Sequence, residues 1–223
     1  MRRVDVAEGQ KARAATRRVT GVAGLAVAAL FIAGNALWAT EQPQAGASAR
    51  QIVAFYTNTS GRIIAGASVS LVAGALFVLF AAGLRSILDE VADDGVLGTT
   101  AFGGALLLVA TGLGAETINM AGALRAEHGQ LSGELGRALF EISYVLGYNA
   151  AGVGVGILIL AVAVAALRAR SLLPRWLALV LILVGLAFLT PLSRFLLAPS
   201  LLLLLVASAQ LLRSSAQART TGD

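Results

Sequence analysis

Glu116 has a side chain out of keeping with its neighbours. It interrupts the apolar run 106–122, LLLVATGLGAETINMAG, and an ionised carboxylate at the centre of a bilayer costs about 2.5–3.5 kcal/mol on insertion scales, less toward the interface. A second carboxylate opens the stretch EISYVLGYNAAGVGVG, in which Glu141, Tyr144 and Tyr148 fall at i, i+3 and i+7 and so share one helical face. Asn119 lies about one turn beyond Glu116. Asn35 and Thr190 stand in other apolar runs, and Arg194 in a tight turn. Two arrangements relieve the cost of burial: a carboxyl held protonated, or one paired with an arginine such as Arg62 or Arg194. A third reading ends the helix at Ala115 and leaves Glu116 among headgroups and water. Glu116, Asn119, Glu141, Tyr144, Tyr148 and Arg194 are therefore the candidate ligand or proton-pathway residues, and no residue is assigned a catalytic role.

Much chemistry is excluded by what the chain lacks. Without cysteine there are no disulfides, thiolate metal sites or cysteine nucleophile. A single histidine, His128, rules out paired imidazoles on a haem. No lysine falls in an apolar run, so a retinal Schiff base is out, and no phosphate-binding loop or HExxH motif occurs. The serines of GASVS have no histidine in any apolar run to activate them. No cofactor is expected. A three-plus-three internal repeat, the best pointer to a secondary transporter, is not visible.

The elements that must carry these residues follow from composition. Of 223 residues 57% are hydrophobic and 13% charged, and the mean hydropathy is +0.82, which places the chain among membrane proteins. Runs of about 20 apolar residues, enough to cross ~30 Å of hydrocarbon, occur at approximately 19–39, 63–84, 97–120, 138–167, 172–191 and 195–213. The expected fold is all-α, a polytopic six-helix transmembrane bundle over residues 19–213. A basic tail (1–18) and a short C-terminal tail (214–223) flank it. The last two runs, joined by Leu192-Ser193-Arg194, are expected to form an antiparallel hairpin.

Orientation comes from the basic residues. With the N-terminus inside, Arg2, Arg3, Lys11, Arg13, Arg17, Arg18, Arg85, Arg168, Arg170, Arg175, Arg213 and Arg219 are cytoplasmic. Only Arg50, Arg62, Arg125, Arg137 and Arg194 are outside, so both termini belong in the cytoplasm of a bacterial cell. The +5 charge is spread between apolar runs, which argues for contact with anionic headgroups at the N-terminal tail and against nucleic acid. Trp38 and Trp176 are placed as interfacial anchors. The outer stretch 40–62 is expected to form a short interfacial helix through Ile52, Val53, Phe55 and Tyr56, ending at Thr59-Ser60-Gly61. The stretch LRAEHGQLSGELGRAL is expected to form a surface helix and turn. Acids at Asp89, Glu90, Asp93 and Asp94 lack the spacing of a calcium loop and read as a solvated turn. Small residues at Gly66, Ser70 and Gly74, and at Gly152 and Gly156, suit close helix packing, within one bundle or between two copies in a homodimer.

The basic N-terminus, FYTNTSGRIIAG entering the second span, LRSIL leaving it, and LLPRWLALVLILVGLAFL for the fifth resemble the uncharacterised multi-pass membrane proteins common in actinobacteria, of the domain-of-unknown-function kind. The resemblance implies a six-helix bundle and carries over no catalytic residue. The function expected is that of a non-enzymatic structural, accessory or small-ligand-binding membrane component. The alternative is a small-solute or proton-coupled transporter using Glu116 and Glu141.

Overall fold

The computed structural model describes residues 2–92, 95–169, 174–190 and 192–220; the side chains of 2–8, 10, 11, 92, 194, 197–199 and 214–220 lie outside that description. The described residues form helices and turns with no strand. Helix α1 spans Arg2–Ala36, α2 Ala49–Ala92, α3 Val96–Glu127, α4 Gly133–Tyr144, α5 Ala151–Arg168, α6 Arg175–Phe188 and α7 Ser193–Thr220. A 3-10 turn, Ala39–Glu41, follows α1, and a π-helical segment, Val145–Ala150, joins α4 to α5 without a break. Four helical stretches are long and apolar enough to cross a membrane: Ala12–Ala36, Ala49–Val91, Val96–Glu127 and Gly133–Arg168.

Length is the first departure from the sequence expectation. The 44 residues of α2 rise about 66 Å and the 32 of α3 about 48 Å, well beyond ~30 Å of hydrocarbon. The expected break at Thr59-Ser60-Gly61 does not occur, and α2 runs straight through it. The reason is burial: Ile52, Phe55, Tyr56 and Ile63 pack with Trp38, Ala123, Ala126 and Phe140 in one cluster, and Thr59 Oγ1 returns its proton to Phe55 O, four residues back. The start of α2, the end of α3 and α4 thus build a helical cap on one end of the bundle. The α3–α4 turn is tight, with Gly129 at φ 65° closing α3 and the Ser132 hydroxyl accepting from Leu135 N at 3.2 Å to start α4. Trp38, expected at the interface, is instead buried beneath this cap. Trp176 is exposed at the start of α6, beside Pro174, which immediately precedes that helix.

Packing runs in the order α7, α1, α2, α3, α5, α6. Glycines set the closest approaches. A Cβ on Gly66 would stand 2.5 Å from Gly34 O across α1–α2, and one on Gly154 would stand 2.5 Å from Leu108 N across α3–α5. The small-residue stripes are therefore used inside the chain: Gly66 and Ser70 meet α1 at Gly34, Gly74 meets Leu113, and Gly152 and Gly156 meet the end of α6 and start of α7.

The expected hairpin of the last two helices is replaced by a splayed pair. Helix α6 lies on α5, with Gly185 against Gly156. Helix α7 starts beside Gly152 and then crosses to α1, where Gly21 and Gly24 take Leu212 and Ser208. Among the described residues the two helices touch little, because each has a glycine-lined groove on a different partner. At 14 residues, α6 is about 21 Å long, shorter than the run 172–191 suggested; residues 170–173 lie outside the described part.

Candidate functional site: a buried polar layer beneath the helical cap

Helix α3 carries Glu116 and Asn119 on one face, three residues apart, and both are buried. Opposite them, α2 presents Tyr56, which has no exposed surface. Gly122 makes room for that ring: a Cβ there would stand 2.8 Å from it. The phenol consequently reaches Asn119, and Tyr56 OH donates to Asn119 Oδ1 at 3.0 Å. Ser143 of α4 sits beside the same hydroxyl and donates to Phe140 O at 2.9 Å.

Toward the opposite end of the bundle lies Glu116, 9% exposed. The Ser70 hydroxyl of α2 faces its carboxyl, yet neither Ser70 Oγ nor Glu116 Oε2 completes a hydrogen bond within the protein. Among the described side chains no lysine, arginine or histidine forms an ion pair with it. Arg62, one proposed partner, is held instead by Glu41 through two bonds of 2.6 and 2.8 Å. The other, Arg194, has a side chain outside the described residues.

The π segment supplies the third wall. Its Tyr148 lies in the neighbourhood of Glu116 and donates to Gln42 Oε1 at 3.1 Å; its ring centroid is 4.6 Å from that of Tyr144. The wider winding of a π turn interrupts the regular ladder and leaves a carbonyl in need of another donor. Ser193 at the start of α7 meets that need, donating to Tyr148 O at 3.1 Å. That bond also fixes where α7 begins, level with this layer.

Glu141 does not join Glu116. Its side chain is 55% exposed and pairs along α4 with Arg137, Nε to Oε1 at 2.7 Å. The two carboxylates grouped as candidates from the sequence are not brought together, because α4 carries Glu141 on the exposed side of the cap. The structure thus unites Glu116, Asn119, Tyr148 and, through ring stacking, Tyr144. It adds Tyr56, Ser70, Gln42 and Ser143, which sequence reasoning did not assign to a site. In the sequence Tyr56 stood only among the apolar residues of the expected interfacial helix, and Ser70 was visible only as one small residue of a stripe.

Shallow surface cavities open beside the bundle among the described residues. One, of about 630 Å³, lies against the 42–47 loop and includes Glu41, Gln51, Phe55 and Asn58. The other, of about 450 Å³, lies at the far end beside Arg85, Gly95 and Thr99. Neither is lined by Glu116. At that far end Asp89 pairs with Arg85 and Glu90 with Arg13, at 3.6 and 3.8 Å, while Asp93 and Asp94 lie outside the described residues. Among the described residues no three His, Cys, Asp or Glu side chains converge as metal ligands. The layer offers hydrogen-bond donors, acceptors and one carboxyl.

Fold and layer together define an all-helical bundle with four apolar helices of membrane-crossing length, consistent with a multi-pass membrane protein. No protein-family model, curated protein or solved structure matches the chain.

Proposed function

We propose that this chain is a six-span integral protein of the bacterial cytoplasmic membrane, with both termini inside, acting as a non-enzymatic accessory component that holds a rigid helical cap at the outer surface. The observation that carries this reading is how the polar groups of the cap end are used. Tyr56 binds Asn119, Tyr148 binds Gln42 and Arg62 binds Glu41, each tying the cap or its loop to the bundle, and Ser193 binds Tyr148 O, tying α7 in at the same level. No nucleophile–base pair stands among them. Twelve basic residues against five favour the cytoplasmic placement of the end opposite the cap. Six spans are supported by the course of α6 and α7. Helix α6 returns along α5 to Gly152, and α7 descends to Gly21 on α1. The basic N-terminal tail would then lie against anionic headgroups.

Purified protein in sealed proteoliposomes tests the reading. It should give no proton or solute flux above protein-free vesicles, and Glu116→Gln should change nothing in that assay. Flux that disappears in folded Glu116→Gln protein would favour the second reading, a proton-coupled carrier. One observation supports that alternative, the Glu116 oxygen without a partner; such a carrier would work without Glu141, which Arg137 holds at the surface.

A further inference from the structure

Helices α1 and α7 bring positive charge together at the end opposite the cap. Residues 9–36 of α1 and all of α7 hold no aspartate or glutamate, while Lys11, Arg13, Arg17, Arg18, Arg213 and Arg219 gather toward that end. Packing decides which of them meet. Gly21 and Gly24 receive Leu212 and Ser208 of α7, and Arg17 stands four and seven residues before them, on the same helical face. Arg17 therefore points into the groove between α1 and α7. Its Nε is enclosed there without a hydrogen-bond partner, although the residue as a whole is only partly buried, so the stem fills the groove and the terminal nitrogens reach its mouth. From α7, Arg213 directly follows Leu212 and is exposed at the same end of the groove.

The other charges near this mouth are already matched. Arg13 pairs with Glu90 at 3.8 Å and Arg85 with Asp89 at 3.6 Å, whereas neither Arg17 nor Arg213 forms an ion pair among the described side chains. Thr20, about one turn past Arg17, abuts Gly83 of α2, so the mouth stands at the level of Arg85, where the apolar part of α2 ends. An apolar stripe leads away from it. Val206 and Leu202, seven and eleven residues before Arg213 and on one face with it, are 48% and 63% exposed.

We propose that Arg17 and Arg213 bind the phosphodiester headgroup of one anionic phospholipid of the inner leaflet, with an acyl chain laid along Val206 and Leu202. Two guanidinium groups that no carboxylate faces call for an anion, and their planar forks match the oxygens of a phosphate. The stripe below Arg213 makes that anion an amphiphile, which neither free phosphate nor a nucleic acid is. A zwitterionic lipid carries its own ammonium group, which the same two arginines repel, so the groove selects net negative charge.

The inference rests on the cytoplasmic placement of this end, which cysteine labelling tests in cells; lipid binding to solubilised protein does not depend on orientation, so the two ideas fail separately. Native mass spectrometry of the full chain in detergent, titrated with phosphatidylglycerol or with phosphatidylethanolamine of the same acyl chains, tests the site. The wild type should hold its first phosphatidylglycerol more tightly than phosphatidylethanolamine. Arg213→Gln, at an exposed position on which folding does not depend, should weaken that binding about fivefold, and Arg17→Gln by a similar factor. Arg18→Gln and Arg175→Gln remove the same charge from the same end of the bundle but outside the groove, and should leave it unchanged. An excess of inorganic phosphate should not displace the lipid; displacement would assign the mouth to a free anion and overturn the lipid. Equal retention of the two lipids, or equal weakening by Arg18→Gln and Arg213→Gln, would overturn the site itself.

Discussion

Tyr56 and Asn119, 63 positions apart in the chain, meet in a buried 3.0 Å hydrogen bond between α2 and α3. It fastens the extended start of α2 to the body of α3 at the level where the cap joins the bundle, and it exists only because Gly122 leaves space for the phenol ring.

Removing one partner leaves the other unsatisfied. Tyr56→Phe should destabilise the protein by about 1 kcal/mol, in keeping with buried hydrogen bonds in water and in membranes. Adding Asn119→Leu to that variant should cost less than the sum of the single changes, because the pair acts as a unit. Denaturation midpoints of the four proteins in detergent, compared as a double-mutant cycle, check this.

Helix contacts through glycine backbones should be intolerant of even one methyl. Gly154→Ala would set a carbon 2.5 Å from Leu108 N, and neither backbone can give way without separating α3 from α5. A loss on the order of 2 kcal/mol or more is expected, of the size seen for overpacked cores. Gly103→Ala is the control: it meets nothing within 4 Å and gains helix propensity, so its midpoint should stay level or rise.

Glu116 and Glu141 should behave differently. Glu141→Gln removes a surface pair with Arg137, of the kind that contributes little, and should leave the melting midpoint unchanged at any salt concentration. Glu116→Gln alters a buried group and should move the melting midpoint. A midpoint identical in wild type and Glu116→Gln would contradict this.

Much of this arrangement is legible in the residues, and the gaps have physical causes. Apolar runs and arginine placement are local properties, so the helices and their order follow from composition. Glu116, Asn119 and Tyr148 stand out because a polar side chain in an apolar run must find a partner. The continuity of α2 through Thr59-Ser60-Gly61 is not local: it is decided by Tyr56 and Phe55 burying against α3 and α4, which overrides the turn propensity of Ser-Gly. Arg137 and Glu141 at i and i+4 were a readable pair, and giving that spacing priority would have removed Glu141 from the candidate site. The π segment has no such signature, and from it follow both the exposed carbonyl of Tyr148 and the anchoring of Ser193. The splay of α6 and α7 likewise depends on which distant helices offer grooves.

The loop 42–47 should depend on its tethers. Glu41→Ala removes both bonds to Arg62, and Gln42→Ala frees Tyr148. Limited proteolysis should cut the double variant between residues 42 and 48 faster than the wild type, with the bundle helices cut no faster.

A six-span bundle capped on its outer face is open to direct test by cysteine labelling, which the cysteine-free chain makes unambiguous. Single variants Gln130→Cys in the α3–α4 turn, Thr190→Cys between α6 and α7, and Arg213→Cys near the end of α7 are exposed to a membrane-impermeant maleimide. Gln130→Cys and Thr190→Cys should react in intact cells and Arg213→Cys only after permeabilisation. Thr190→Cys reacting only from the inside, together with Arg213→Cys, would mean that α6 and α7 do not cross, and would contradict the six-span bundle.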